Sequence, residues 1–152
     1  MLNRKTPSSQ RGHAIIEVSL MAPWIFFLFM GTLDFGFYGY AAVATENAAR
    51  AAVERTAIDT TTAGDTNLAC TYALGEMQWL INMRNPVVSA CAASIDATHP
   101  LVVTAAQVNG ADGTQASQVS VTYQTIPMFP IPGIAGRYTL TRTAQMRLRE
   151  QP

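Results

Sequence analysis

Residues 11–33 read RGHAIIEVSLMAPWIFFLFMGTL. Glu17 is the one acid in this stretch, and the sixteen positions from Val18 to Leu33 carry no charge. Sixteen helical residues span only ~24 Å, less than the ~30 Å hydrocarbon core of a bilayer. Either a bounding acid, Glu17 or Asp34, approaches the apolar layer, or the aromatics beyond extend it. Phe35, Phe37, Tyr38 and Tyr40 follow Asp34 and suit the headgroup level, where an apolar ring meets water. A transmembrane helix is therefore expected over residues 13–40. A carboxylate at bilayer depth costs at least ~2.5 kcal/mol even on lenient insertion scales, so an acid at the mouth of the span marks function. Arg4, Lys5 and Arg11 precede the span with no acid among the first twelve residues. The positive-inside tendency then puts the N-terminus in the cytoplasm and the chain beyond 40 outside.

The rest of the composition sets limits. The chain has 152 residues, enough for this segment and one domain of roughly 100 residues. Past the basic leader, seven basic residues face ten acidic ones, so no basic surface for nucleic acid is expected. Cys70 and Cys91 lie outside any CxxC pattern and lack histidines at ligand spacing, which argues against zinc. His99 precedes Pro100 in a loop, and the serines have no histidine and acid at a readable spacing. No phosphate-cradling glycine loop occurs. The expectation is a protein that is not an enzyme, with no cofactor, no metal and no small-molecule substrate.

Three readings fit the N-terminal segment. A secretory signal would cut near AAVATE, where Ala42 and Ala44 make an A-x-A arrangement, about ten residues past the apolar core. A plain uncleaved anchor would tether an extracytoplasmic binding or scaffold domain, and would leave Glu17 without a purpose. The third reading starts from Arg11-Gly12-His13-Ala14-Ile15-Ile16-Glu17, a basic leader ending in glycine with glutamate as the fifth residue after it. This resembles the processing site of type IV prepilins.

The resemblance sharpens along the chain. Glu17 followed by Pro23, DFG at 34–36, ENAARAAVERT at 46–56, VSVTYQTIPMFPIPG at 119–133 and LTRTAQMRLRE at 140–150 together look like the TadE family of pseudopilins from tight-adherence pilus systems. The resemblance implies a leader, residues 1–12, removed between Gly12 and His13 by a prepilin peptidase. It implies a transmembrane helix at 13–40 in the bacterial inner membrane and a periplasmic domain at 41–152. The implied partners are the peptidase, a second pseudopilin of TadF type and the major pilin. The implied role is a minor subunit in assembly, initiation or the tip of an adhesive pilus.

The fifth-position acid has a physical reading of its own. Cleavage after Gly12 would free an α-amino group on His13, largely protonated at neutral pH given a reference pKa near 8. Glu17 lies about one helical turn on and could neutralise that amine, or the amine of a neighbouring subunit. In the intermolecular version, which the resemblance implies, the pair favours one axial register between helices, as a buried polar residue does in a coiled coil. The His13 imidazole could tune the amine or merely be solvated. Pro23 removes a backbone hydrogen bond and is expected to kink the helix, which membranes tolerate.

Beyond Tyr40 the periodicity changes. Ala41, Ala44, Ala48 and Ala52 form a small-residue stripe with Ala42, Ala49 and Val53 beside it, opposite Glu46, Arg50 and Glu54 at i, i+4 spacing. The same helix should continue to Ala57 and bed its alanines against a sheet or helix. DTTTAGDTN, residues 59–67, ends it. A second helix is expected over 68–84, capped by Asn67, with Leu74, Met77, Leu80 and Ile81 inward. Residues 101–108, 117–125 and 138–148 read as strands, the last two pairing across a proline-rich connection at 127–136, with Val119, Val121 and Tyr123 on one face. The expected fold class is α+β: a transmembrane helix continuing into an amphipathic helix, a second helix and a pilin-like antiparallel sheet of about three strands. If the domain is extracytoplasmic, Cys70 and Cys91 are expected to form a disulfide.

Overall fold

The structure, a computed structural model, describes residues 10–84, 87–96, 98–127 and 136–149. Residues 1–9 of the expected leader and most of the proline-rich connection lie outside the described residues. Three helices come first: α1 Gln10–Thr56, α2 Thr66–Met77 and α3 Ile81–Arg84. Three strands follow: β1 Leu101–Asn109, β2 Gln115–Gln124 and β3 Thr139–Arg147. The fold is α+β, and the chain forms two compact units, Met1–Gly36 and Phe37–Pro152.

The first unit is helix alone. α1 stays helical through Pro23, whose missing N–H leaves the Ser19 carbonyl without its usual partner. The hydroxyls of Ser19 and Thr32 donate to the carbonyls of Ile15 and Leu28, each at 2.8 Å. Both hydroxyls are thus satisfied within the helix, as a lipid environment demands.

The second unit holds the core. Ala41, Ala44, Ala48 and Ala52 are buried together with Ala49 and Val53, so the alanine stripe is the inward face of this part of α1. Glu46 lies at the opposite side, where its carboxylate takes the Arg50 guanidinium at 3.0 Å and Arg142 of β3 at 3.7 Å. The sheet order is β1-β2-β3, antiparallel throughout. Period-two alternation brings Leu101 and Val103 of β1 and Val119, Val121 and Tyr123 of β2 into one buried cluster with the alanines. Alanine presents little more than backbone, which lets neighbouring elements approach closely.

Three expectations are corrected. The cap of α2 is Asp65, whose Oδ1 accepts from the N–H groups of Asn67 and Leu68 at 2.9 and 3.0 Å, and Asn67 is inside the helix. The expected helix over 68–84 breaks after Met77 and resumes as the short α3. The break serves Asn82, whose Nδ2 donates to the Gln124 carbonyl at 3.0 Å while its Oδ1 accepts from the Tyr123 hydroxyl. Leu80 stays buried, but Ile81 turns outward and is 46% exposed. Lastly, Phe37 does not sit with the headgroup-level aromatics: it is 8% exposed in the core of the second unit. Tyr38 donates to the Gly136 carbonyl at 3.3 Å and meets Tyr138 edge-on at 5.1 Å.

The second unit has two ends. At one, Phe37 and Tyr38 start the unit, Tyr138 packs on Tyr38, and Thr125 N–H donates to the Tyr138 carbonyl at 2.9 Å. Asn82 binds the same β2 terminus. At the other end the Thr56 and Ser117 hydroxyls meet at 2.7 Å, Ser117 donates to the Ala63 carbonyl at 2.9 Å, and Arg149 N–H donates to the Ala57 carbonyl at 3.1 Å.

Candidate functional site

The chemistry-bearing part of the first unit is its helix surface. Ala14, Val18, Met21 and Ile25 recur at i, i+4, i+7 and i+11, so they share one side of α1, with Phe29 one turn beyond and Glu17 beside Val18. Every one of these side chains is exposed, as are Trp24, Phe26 and Phe27 around the rest of the helix. Trp24 alone is 72% exposed. A helix that buries none of its apolar side chains against its own chain needs another medium or another molecule to cover them. This helix is long and apolar enough to cross a membrane. Glu17 is the acid at the N-terminal end of the apolar face.

The backbone spacing around Glu17 follows from the helix. Gly12 and His13 both lie within α1, and His13 is four residues before Glu17, one turn or ~6 Å along the axis. A terminal amine at His13 and the Glu17 carboxylate would thus share one side of the helix. Pro23 lies six residues further on.

The remaining sequence-singled residues are in the second unit. Cys70 and Cys91 are joined in a disulfide with Cα atoms 5.9 Å apart, and Cys91 N–H donates to Cys70 Sγ at 3.1 Å. The bond links the first turns of α2 to the segment that leads into β1, and both cysteines are half-buried in a shallow groove beside Thr66, Thr71 and Thr104. Asp96, Thr98 and His99 form a local turn: the Asp96 carboxylate accepts from Thr98 and His99 N–H groups, each at 2.7 Å. Hydrogen bonds, led by the Thr98 hydroxyl, hold the Asp96 carboxyl well below its ordinary range. Asp59 and Asp112 are lowered for the same kind of reason, first by the hydroxyls of Thr61 and Thr114. These are turn-forming carboxylates, each served by its own loop. Among the described residues no three or more His, Cys, Asp or Glu side chains converge as metal ligands.

The pair Tyr123–Asn82 carries no sequence signal, because an asparagine between two apolar residues and a tyrosine in an alternating strand are each ordinary. Burial pushes the Tyr123 phenol well above its usual value, and the hydrogen bond to Asn82 offsets only part of this. The pair is structural, since it ties α3 to the end of β2.

Residues 12–54 match the family model of TadE-like proteins, a family of structural pilus components. The matched segment starts at Gly12, includes His13, Glu17 and Pro23, and runs through the alanine stripe to Glu54. No curated protein and no solved structure matches the chain.

Proposed function

We propose that this TadE-like chain, a Tad pilus-associated protein with one membrane-anchoring helix, is a processed pseudopilin acting as a minor subunit in assembly of the pilus. Residues 1–12 are the leader, residues 13–40 the transmembrane helix and residues 41–152 the periplasmic domain. A prepilin peptidase cuts between Gly12 and His13 on the cytoplasmic face of the inner membrane. The apolar helix stays on the mature chain as its assembly surface, and Glu17 sets the axial register by pairing with an α-amino group, its own or a neighbour's. Pro23 lets the helix bend as it packs. The partners are a second pseudopilin of TadF type and the major pilin, and the role is initiation or capping at the tip of an adhesive filament, since a domain of this size would crowd a filament of short subunits.

One observation carries this reading: an apolar helix exposed all round, with a single acid at its N-terminal end one turn after His13. A plain anchor has no need of that acid, and lipid exposure makes it costly. The test is N-terminal sequencing of the membrane-extracted protein. The mature chain should begin at His13, and Gly12→Ala should retain the basic leader. A start at residue 1 or 2 in the unaltered protein would favour an uncleaved anchor bearing a binding or scaffold domain, and a start near Glu46 a secretory signal.

A further inference from the structure

The Cys70–Cys91 bond is asymmetric in its surroundings. Cys91 N–H donates to Cys70 Sγ at 3.1 Å, whereas among the described residues no donor meets Cys91 Sγ. Cys70 is the fifth residue of α2. Cys91 precedes Ala92, which is bridged in parallel to Val102 of β1 and donates its N–H to the Leu101 carbonyl at 3.4 Å. The Cys91 N–H is therefore positioned by pairing with β1 as well as by the sulfurs. Both cysteines are half-buried and line one groove, where Thr66, Thr71, Ser89 and Ala93 contribute short, exposed side chains.

We propose that this bond is a thiol–disulfide exchange site of the folded unit, at which the thiolate of a protein dithiol attacks Cys91 Sγ and Cys70 Sγ leaves. The groove gives an incoming thiol a way to the bond past small side chains only. Exchange runs faster through the sulfur whose partner leaves as the more stable thiolate. A hydrogen bond to the charged form stabilises it, and the Cys91 N–H offers that bond to Cys70. In the first step the incoming sulfur bonds to Cys91 Sγ, and the electron pair of the Cys70–Cys91 bond passes to Cys70 Sγ. The second thiol of the dithiol, its proton lost to water, then attacks its own partner in the mixed disulfide and releases Cys91 as a thiolate. Two electrons have passed from the dithiol to this chain, the dithiol has closed to a disulfide, and both released thiolates take protons from water. The reverse sequence installs the bond: Cys91 takes the mixed disulfide with the oxidised partner, and Cys70 closes onto it. Opening the bond unlatches α2 from the segment that leads into β1. This inference is independent of how the N-terminal helix is processed.

The test uses the unaltered full chain in detergent, with reduced glutathione as the attacking thiol. The reaction is stopped with acid at early times, free thiols are alkylated with N-ethylmaleimide, and the adducts are located by peptide mass spectrometry. Glutathione on Cys91 with maleimide on Cys70 should exceed the reverse pattern by at least ~3-fold, and urea should abolish the preference. A second measurement compares Cys91→Ser, which keeps the backbone N–H at 91, with Cys70→Ser. Iodoacetamide should alkylate the remaining Cys70 at lower pH than the remaining Cys91, in variants whose near-ultraviolet circular dichroism matches the unaltered chain. Adducts that form only in urea overturn the proposal, because the bond is then closed to thiols in the folded unit. Adducts shared equally, or carried on Cys70, overturn it by removing the assigned leaving group.

Discussion

The hydroxyls of Thr56 and Ser117 lie 2.7 Å apart, both fully buried, although 61 residues separate them along the chain. Ser117 donates to the Ala63 carbonyl at 2.9 Å, which leaves Thr56 to donate to Ser117. Helix end, following loop and central strand are thereby joined through one hydroxyl. Ser117→Ala should remove that joint and leave the Ala63 carbonyl short of a donor, a loss of ~1–3 kcal/mol. With Ser117 gone the Thr56 hydroxyl can turn its proton to the Ala52 carbonyl, 3.2 Å away, so the effect should fall in the lower half of that range. Chemical denaturation of the full chain in detergent, followed by near-ultraviolet circular dichroism, measures it.

The Cys70–Cys91 bond spans 21 residues. On the chain-entropy model, closing such a loop stabilises the folded unit by roughly 3 kcal/mol. Reduction, or the pair Cys70→Ala and Cys91→Ala, should lower the unfolding midpoint accordingly. Thiol labelling of unreduced protein in intact cells checks the premise: two freely alkylated cysteines would remove both the bond and a support for a periplasmic domain.

Tyr123 predicts an alkaline limit to stability. Its folded phenol titrates above its unfolded value, because burial opposes the phenolate. The stability this contributes is therefore complete below the unfolded value of about 10 and is lost as pH rises from there toward the folded value. The denaturation midpoint should fall above about pH 10, the reference value for an unburied phenol. Tyr123→Phe should flatten that fall while lowering stability at neutral pH, since Asn82 loses its partner. An equal alkaline fall in the variant would contradict the assignment.

Glu17→Gln keeps the side chain's shape and removes its charge. Membrane insertion and the fold of the second unit should persist, because Glu17 is exposed and belongs to the first unit. Co-purification with other pilus subunits should drop, as the register pairing requires a carboxylate facing an amine. Unchanged piliation would rule the pairing out.

Much of the architecture is written in short-range periodicity. The charge-free run from Val18 to Leu33, the alanine stripe at helical spacing and the period-two strands each identify an element and its inward face, because burial against one surface imposes one repeat. Ala48 and Val121 stand where such patterns place them. The acid at Glu17 is legible too, since charge in an apolar run is conspicuous without any structure. Contacts between distant segments decided the rest. Phe37 reads as one more headgroup aromatic, yet the core of the second unit claims it. Asn82 ends what looks like a continuous helix because a strand terminus and a buried phenol lie where its amide can reach both. Asp65 rather than Asn67 caps α2 because the chain direction entering the helix, set by the loop after Thr56, brings its carboxylate onto the free N–H groups. Periodicity reports which face of an element is dry; only the assembled fold settles which neighbour dries it and which polar groups must be met there.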